Sequence, residues 1–252
     1  MDILSIDKLS KHFGGVTAVS EFSMVQPDHV ISAIIGPNGA GKTTTFNLIT
    51  GVQSQDEGRI EFMGRDLSRA PAHERTKAGI TRTFQNIRLF PTMDVLDNVK
   101  VVYGMHRGYS IWDEFLRTPR VKREEKELHE RAMSLLAEFK LEQFAHYRPT
   151  QLPYGTQRRL ELARALLPDP KLLLLDEPGA GLNPREIREL MDSIVRIQRD
   201  RKLSIIIVEH HMELVMNICS IIHVLDFGKK IAEGNPEAIK CDEKVLQAYL
   251  GE

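Results

Sequence analysis

The sequence predicts an α/β fold: a core of buried parallel strands and helices, antiparallel strands near the amino-terminal end, and a helical block inserted part-way along. Three observations carry this. Val30-Ile31-Ser32-Ala33-Ile34-Ile35, a strand-length apolar run, gives way to the glycine-rich Gly36-Pro37-Asn38-Gly39-Ala40-Gly41, and then Lys42, Thr43 and Thr44 open a helix that Gly51 closes. Lys171-Leu172-Leu173-Leu174-Leu175 and Leu203-Ser204-Ile205-Ile206-Ile207-Val208 have the continuous apolar character of strands buried on both faces, and each ends in polar residues. From Thr92 to about Leu167 the apolar period becomes helical, so helices interrupt the strand pattern.

Composition sets the outer limits. A chain of 252 residues with 42% hydrophobic residues builds a sizeable core, as one large domain or a core with a subdomain. Lys+Arg 34 against Asp+Glu 35 leaves a formal net charge of -1, so bulk charge does not announce nucleic-acid binding. No apolar stretch approaches the roughly 18 to 20 residues of a membrane helix. Met1-Asp2-Ile3 lacks the basic start and long apolar stretch of a signal peptide, and the expectation is a chain neither secreted nor membrane-spanning by itself. Cys219 and Cys241 lie far from any CxxC or Cys/His ligand spacing. They read as free thiols of a reducing cytosol, filling the place of small buried apolar residues.

In chain order, residues 3 to 25 hold short β-prone runs around a Gly14-Gly15 turn and predict antiparallel strands. Glu57 to Arg65 alternates polar and apolar residues between glycines, the pattern of a half-exposed strand joining them. Gly79 to Gln85 is another short strand, with Gln85 where strand gives way to loop. Leu128, Ala132, Leu135, Leu136 and Phe139 mark one face of a helix. Before it, Tyr103 to Arg123, with Ile111-Trp112, Phe115-Leu116, Pro119 and a basic run, reads as a solvated excursion packed on its own helices or as a membrane-contact arm. Pro168 and Pro170 stop the following helix. Arg185 to Arg199 is a charged helix with Ile187, Leu190, Met191, Ile194 and Ile197 at helical spacing. Ile221 to Gly234 makes strand, turn and strand, and a short helix near Glu243 to Leu250 follows.

The chemistry concentrates at strand ends. In Gly36 to Thr44, glycines let backbone N–H groups close around phosphate oxygens, and the helix amino terminus adds roughly half a positive charge. Lys42 then meets the β- and γ-phosphates, and the Thr43 hydroxyl ligates Mg²⁺. Asp176 and Glu177 end a buried strand at the edge where open α/β sheets place ligands: Asp176 suits the Mg²⁺ shell, and Glu177 suits a water attacking the γ-phosphate. His210 follows the next buried strand, which makes it a candidate phosphate contact. By itself Gln85 is a polar strand end. Phe13 reads either as core or turn packing or as a stacking platform for a purine ring.

A phosphate loop and an acid pair define only a P-loop nucleoside triphosphatase core. Leu152-Pro153-Tyr154-Gly155-Thr156-Gln157-Arg158-Arg159-Leu160-Glu161-Leu162-Ala163-Arg164-Ala165-Leu166 narrows it. This stretch resembles the signature loop and helix of ATP-binding cassette ATPases, whose common form is Leu-Ser-Gly-Gly-Gln, and the resemblance covers essentially the whole chain. It implies one cassette ATPase domain: 1–85 and 168–252 as nucleotide-binding core with the β subdomain, and 86–167 as a helical signature subdomain. It makes Phe13 the adenine-stacking aromatic, Gly36, Pro37, Asn38, Gly39, Ala40, Gly41, Lys42, Thr43 and Thr44 the phosphate loop, and Gln85 the side chain reaching Mg²⁺ and the attacking water. Asp176 supports the metal, Glu177 is the catalytic carboxylate, Gly179 to Asn183 the loop crossing a dimer, and His210 the γ-phosphate switch. Tyr154, Gly155 and Thr156 would close over ATP held by a second cassette. Pro153 stands where serine is usual and supplies neither hydroxyl nor N–H, Tyr154 and Thr156 replace the common Gly and Gln, and Asn183 and His211 stand where Asp is more common.

Finer resemblance lies in Gly79 to Phe90, the Trp112 excursion, Glu177 to Pro184, Glu209 to Met216 and Ala248 to Glu252, which look like the larger ATP-binding subunit of branched-chain amino-acid importers. That implies ATP and Mg²⁺, integral membrane permease subunits, and a second cassette as a homodimer or heterodimer. It also implies a periplasmic or extracellular solute-binding protein acting indirectly, no nucleic acid, and a peripheral place on the cytoplasmic face of the plasma (inner) membrane. Cassettes for urea, short amides or lipopolysaccharide share several of these strings, and a soluble cassette ATPase of translation or DNA repair is the reading from another class.

Overall fold

The computed structural model describes residues 2–106 and 118–250. Trp112 with its flanking Ile111, Phe115 and Leu116, and the terminal Gly251 and Glu252, lie outside them. Contacts divide the chain into two compact units, Met1–Gln85 with Lys171–Glu252, and Asn86–Pro170.

The first unit opens with β1 (Asp2–Phe13) and β2 (Val16–Pro27), an antiparallel hairpin turning at Gly14-Gly15. The short runs of the sequence are joined into two long strands because register shifts between Asp2 and Leu4, Ile6 and Leu9, and Leu9 and His12 absorb the breaks in alternation. Then come β3 (Ile31–Ile35), α1 (Lys42–Ile49), β4 (Glu57–Phe62), β5 (Arg65–Asp66), α2 (Ala72–Ala78) and β6 (Ile80–Arg82). The half-exposed strand from Glu57 ends at Phe62, because Met63 and Gly64 turn the chain with positive φ, and it pairs antiparallel with β1.

The second unit contains α3 (Val95–Lys100), a 3₁₀ turn at Val101–His106, α4 (Pro119–Glu138), short 3₁₀ turns, and α5 (Tyr154–Leu166). Pro119 belongs to the helix rather than to the preceding excursion, since at N1 it gives up no hydrogen bond. Val121, Ala132, Leu135 and Leu136 are the buried face of α4, with Leu128 half-buried. Asn98 is fully buried and ties this unit together, its amide donating to the carbonyls of Phe90, Met93 and Asp94 and its oxygen accepting from Phe90 N–H at 2.8 Å.

Back in the first unit follow β7 (Leu172–Asp176), α6 (Pro184–Arg201), β8 (Ser204–Val208), α7 (Met212–Ile218), β9 (Ile221–Asp226), β10 (Lys229–Gly234), α8 (Pro236–Lys240) and α9 (Glu243–Leu250). One sheet runs β2-β1-β4-β5 and the other β10-β9-β3-β8-β7-β6, the latter parallel except for β10. Every residue of β3, β7 and β8 is buried, as their apolar runs require. The core joins Leu4, Leu9, Phe22, Ile60 and Phe62 of the antiparallel sheet to Phe46 and Ile49 of α1 and to Ile34, Leu174 and Ile206 of the parallel one. Helix α6 buries Ile187, Leu190, Ile194 and Ile197 and carries a complete capping box at Asn183 and Glu186. Among the described residues no helix is long and apolar enough to cross a membrane.

The two cysteines differ. Cys219 is buried, and burial together with the charge of Glu209 pushes its thiol up to about 12, whereas Cys241 is exposed and not the buried apolar filler its sequence context indicated. It sits at the C-cap of the five-residue α8, too short to cover it.

His223 in β9 has no exposed surface, and burial lowers its pKa from 6.5 to about 4, with Glu233 3.3 Å away opposing the shift. The unfolded chain therefore takes up this proton at a higher pH than the folded one, so stability is complete above pH 6.5 and lost as pH falls toward 4. The loss is on the order of 3 kcal/mol. His223→Gln, which cannot titrate, should flatten the dependence of the urea midpoint on pH across that window.

Candidate active site

In-register parallel pairing brings the functional loops to one edge of the sheet. Val208 of β8 lies opposite both Ile34 of β3 and Asp176 of β7, so Gly36, Glu177 and Glu209 leave their strands together. Glycine is required at two points of the first loop. At Gly36, φ is +150° and a Cβ would stand 2.0 Å from the Leu225 carbonyl oxygen; at Gly41, φ is +99° and a Cβ would stand 2.4 Å from that of Ala18. Gly228 N–H donates to Ala40 O and Ser20 N–H to Gly228 O, so the β9–β10 turn pins the loop to β2.

Lys42 is buried, its Nζ donating to Gly36 O at 2.6 Å and Pro37 O at 2.7 Å, which holds the cation within the loop. Gly41 caps α1 without a side-chain hydrogen bond, at a helix end of the kind that binds anions. Over the loop opens a cleft of about 430 Å³ lined by Val16, Thr17, Asn38 through Thr44, Gln85, Glu177, His210 and Phe227. Its size and its donors suit a polyphosphate ligand.

Three predicted residues meet at the edge of this cleft. Gln85 Nε2 donates to Glu177 Oε2 at 2.6 Å, and His210 Nε2 lies 2.7 Å from Glu177 Oε1. Glu177 has φ +47°, a costly conformation for a non-glycine residue, held by its N–H donating to Val208 O at 2.8 Å. Its side chain is 10% exposed, so the carboxylate is confined but reachable.

Asp176 lies elsewhere, buried and outside the lining of the cleft. Its Oδ2 accepts from Arg82 Nη2 at 2.5 Å, and the other end of that guanidinium donates to Asn47 Oδ1 of α1 at 2.7 Å. Arg82 also lies 5.4 Å from the Phe46 ring and 5.2 Å from the Phe84 ring. Sequence reading overlooked Arg82, the last residue of β6, because the pairing of that strand with β7 leaves no local signal. For a hard cation the cleft offers the hydroxyl of Thr43 and the amide oxygen of Gln85, oxygen donors of the right kind for Mg²⁺, while the Asp176 carboxylate is taken up by Arg82.

Phe13 is 45% exposed at the end of β1, three residues before Val16 of the cleft lining, with Lys11 Nζ 5.6 Å from its ring centroid. Phe227, which sequence reading treated only as turn, is 85% exposed on the cleft lip. In the second unit, Pro153 is the N-cap of α5 and offers no side-chain acceptor. Tyr154 is exposed, Gly155 half-buried and Thr156 buried, and the Thr156 N–H donates to Pro153 O at 2.9 Å. Of the three residues expected to close over a second cassette's ATP, Thr156 thus already spends its amide within the turn.

A family model described as ABC transporter matches residues 20–180, and one described as branched-chain amino acid ATP-binding cassette transporter matches residues 229–252. The high-affinity branched-chain amino acid transport ATP-binding proteins BraF of Pseudomonas aeruginosa and LivG of Escherichia coli are each 39% identical to this chain, covering 99% of it and 98% of their own length. The lipopolysaccharide export system ATP-binding protein LptB of Haemophilus influenzae is 34% identical over 100% of this chain and 98% of its own. A crystal structure of the ADP conformation of MJ1267, an ATP-binding cassette of an ABC transporter, matches with a TM-score of 0.87 at 30% identity, covering 100% of both chains.

Arg82→Met would leave Asp176 buried and uncompensated. It should cost about 3 kcal/mol or more, read as a lower urea midpoint at unchanged slope.

Proposed function

Because the chain belongs to the ABC transporter family of ATP-binding proteins, we propose that it is the ATP-hydrolysing subunit of a membrane importer for branched-chain amino acids. The observation that carries the catalytic reading is the Glu177 carboxylate held between Gln85 and His210 at the edge of the phosphate-loop cleft. The substrate class rests on the full-length likeness to BraF and LivG and on the match of residues 229–252.

In this reading the backbone N–H groups of Gly36 to Thr44 and the α1 terminus bind the ATP phosphates, and Lys42 adds its charge to the β- and γ-phosphates. Phe13 stacks on the adenine. Gln85 and Glu177 orient a water for attack on the γ-phosphorus, and a Glu177 carboxylate oxygen accepts its proton. His210 steadies the other oxygen of Glu177 and meets the γ-phosphate. Mg²⁺ would be held by Thr43 and Gln85, and when bound it neutralises charge on the β- and γ-oxygens.

Tyr154 and Gly155 would serve ATP held by a second cassette, with Thr156 packing the turn beneath them. Pro153 would weaken that contact, making the two ATP sites of a heterodimer unequal. The working assembly has permease subunits in the membrane, a solute-binding protein outside it and this chain peripheral on the cytoplasmic face. A lipopolysaccharide-handling role is the second reading, favoured by the likeness to LptB.

Glu177→Gln should retain ATP binding while turnover falls about 10²-fold or more, measured by phosphate release alongside nucleotide titration; near-normal turnover would remove Glu177 from the role. Cells lacking this chain should lose uptake of labelled leucine and recover it with the wild-type chain only. Unchanged leucine uptake together with a lipopolysaccharide defect would favour the second reading.

A further inference from the structure

Glu209 is a buried acid that the catalytic reading leaves unused. It is 1% exposed, and among the described residues it makes no ion pair. A carboxylate so placed needs hydrogen bonds in place of water, and it has three, all from backbone. Oε1 accepts from Gly179 N–H at 2.6 Å, and Oε2 accepts from His210 N–H at 2.8 Å and His211 N–H at 3.1 Å.

One oxygen therefore holds the loop that follows Glu177, and the other holds the loop that presents His210. Because the side chains of His210 and Glu177 also meet at 2.7 Å, the path from Glu177 to Gly179, across to Glu209 and on to His210 closes on itself. Gly179 fits the arrangement: a Cβ there would lie 2.7 Å from Glu209 Oε1 and 3.2 Å from His211 Cδ2.

We infer that Glu209 is a positioning residue that makes the Gly179–Asn183 loop and the His210 loop one mechanical unit, so that displacement of His210 by bound nucleotide shifts the other loop with it. A carboxylate suits the task because both its oxygens only accept; an amide at the same place turns a donor toward one set of N–H groups, and the loop so released no longer braces the other, so both loosen. The catalytic consequence, although not the coupling itself, rests on the roles given above to Glu177 and His210.

Hydrogen exchange by mass spectrometry on the full-length, nucleotide-free chain tests the coupling. In Glu209→Gln the segments 178–183 and 209–212 should both exchange at least about fivefold faster, while 36–44 stays within about twofold of wild type. Gly179→Ala attacks the same contact from its other side and should give the same paired response, which decides the matter if Glu209→Gln does not fold. Loosening of one loop alone, of neither, or of the whole unit at once would overturn the inference. In the ATPase assay both variants should lose about tenfold in kcat with KM within about twofold, and a loss confined to KM would count against it. A wild-type chain without ATPase activity would instead defeat the functional reading while the exchange result stood.

Discussion

In-register pairing of three strands buried on both faces is the constraint on which the rest of the molecule depends. A strand without a polar face cannot sit at the surface, so β3, β7 and β8 occupy the middle of the parallel sheet. Parallel pairing sends all three out at the same edge, and the register opposing Val208 to both Ile34 and Asp176 brings their loops level. A one-residue slip of β7 would exchange which of Asp176 and Glu177 turns away from the cleft. The meeting of Gln85, Glu177 and His210 is thus a consequence of apolar packing several residues away from it.

The same burial obliges polar groups near the edge to find partners. Arg75, 2% exposed, donates to the carbonyls of Leu48 and Ile49 and so satisfies the carboxyl end of α1, with a further bond to Ala70 O. Arg82 does the equivalent for Asp176, and Glu209 accepts from three N–H groups, those of Gly179, His210 and His211. Each group spans two elements distant in sequence. Together they make the helix after the phosphate loop, the acid-bearing strand and the histidine loop parts of one polar framework.

Departures from the commoner cassette pattern acquire physical reasons in this framework. Asn183 is the N-cap of α6, its Oδ1 accepting from Arg185 and Glu186 N–H while Glu186 closes the box, so a carboxamide serves there as well as a carboxylate. His211 likewise heads α7, and its N–H is spent on Glu209. Pro153 is tolerated ahead of α5 because its φ of -55° suits that position, at the loss of any side-chain cap.

Much of this was legible in the chain itself. Four consecutive leucines before Asp176-Glu177, the glycine-rich turn before Lys42, and the change from strand to helical period after Thr92 determined the α/β class, the phosphate loop and the helical insertion, because burial and backbone sterics act on residues close in sequence. Those local signals named Glu177 and His210 separately, and the resemblance to the cassette family added Gln85. Their meeting within 2.7 Å, the burial of Asp176 against Arg82, the exposure of Cys241 and the three-way bond of Glu209 depend on which strands are neighbours and in what register. That is decided by packing between residues tens to well over a hundred positions apart, where hydrogen-bond partners leave no periodicity to read, so only the tertiary structure could supply it.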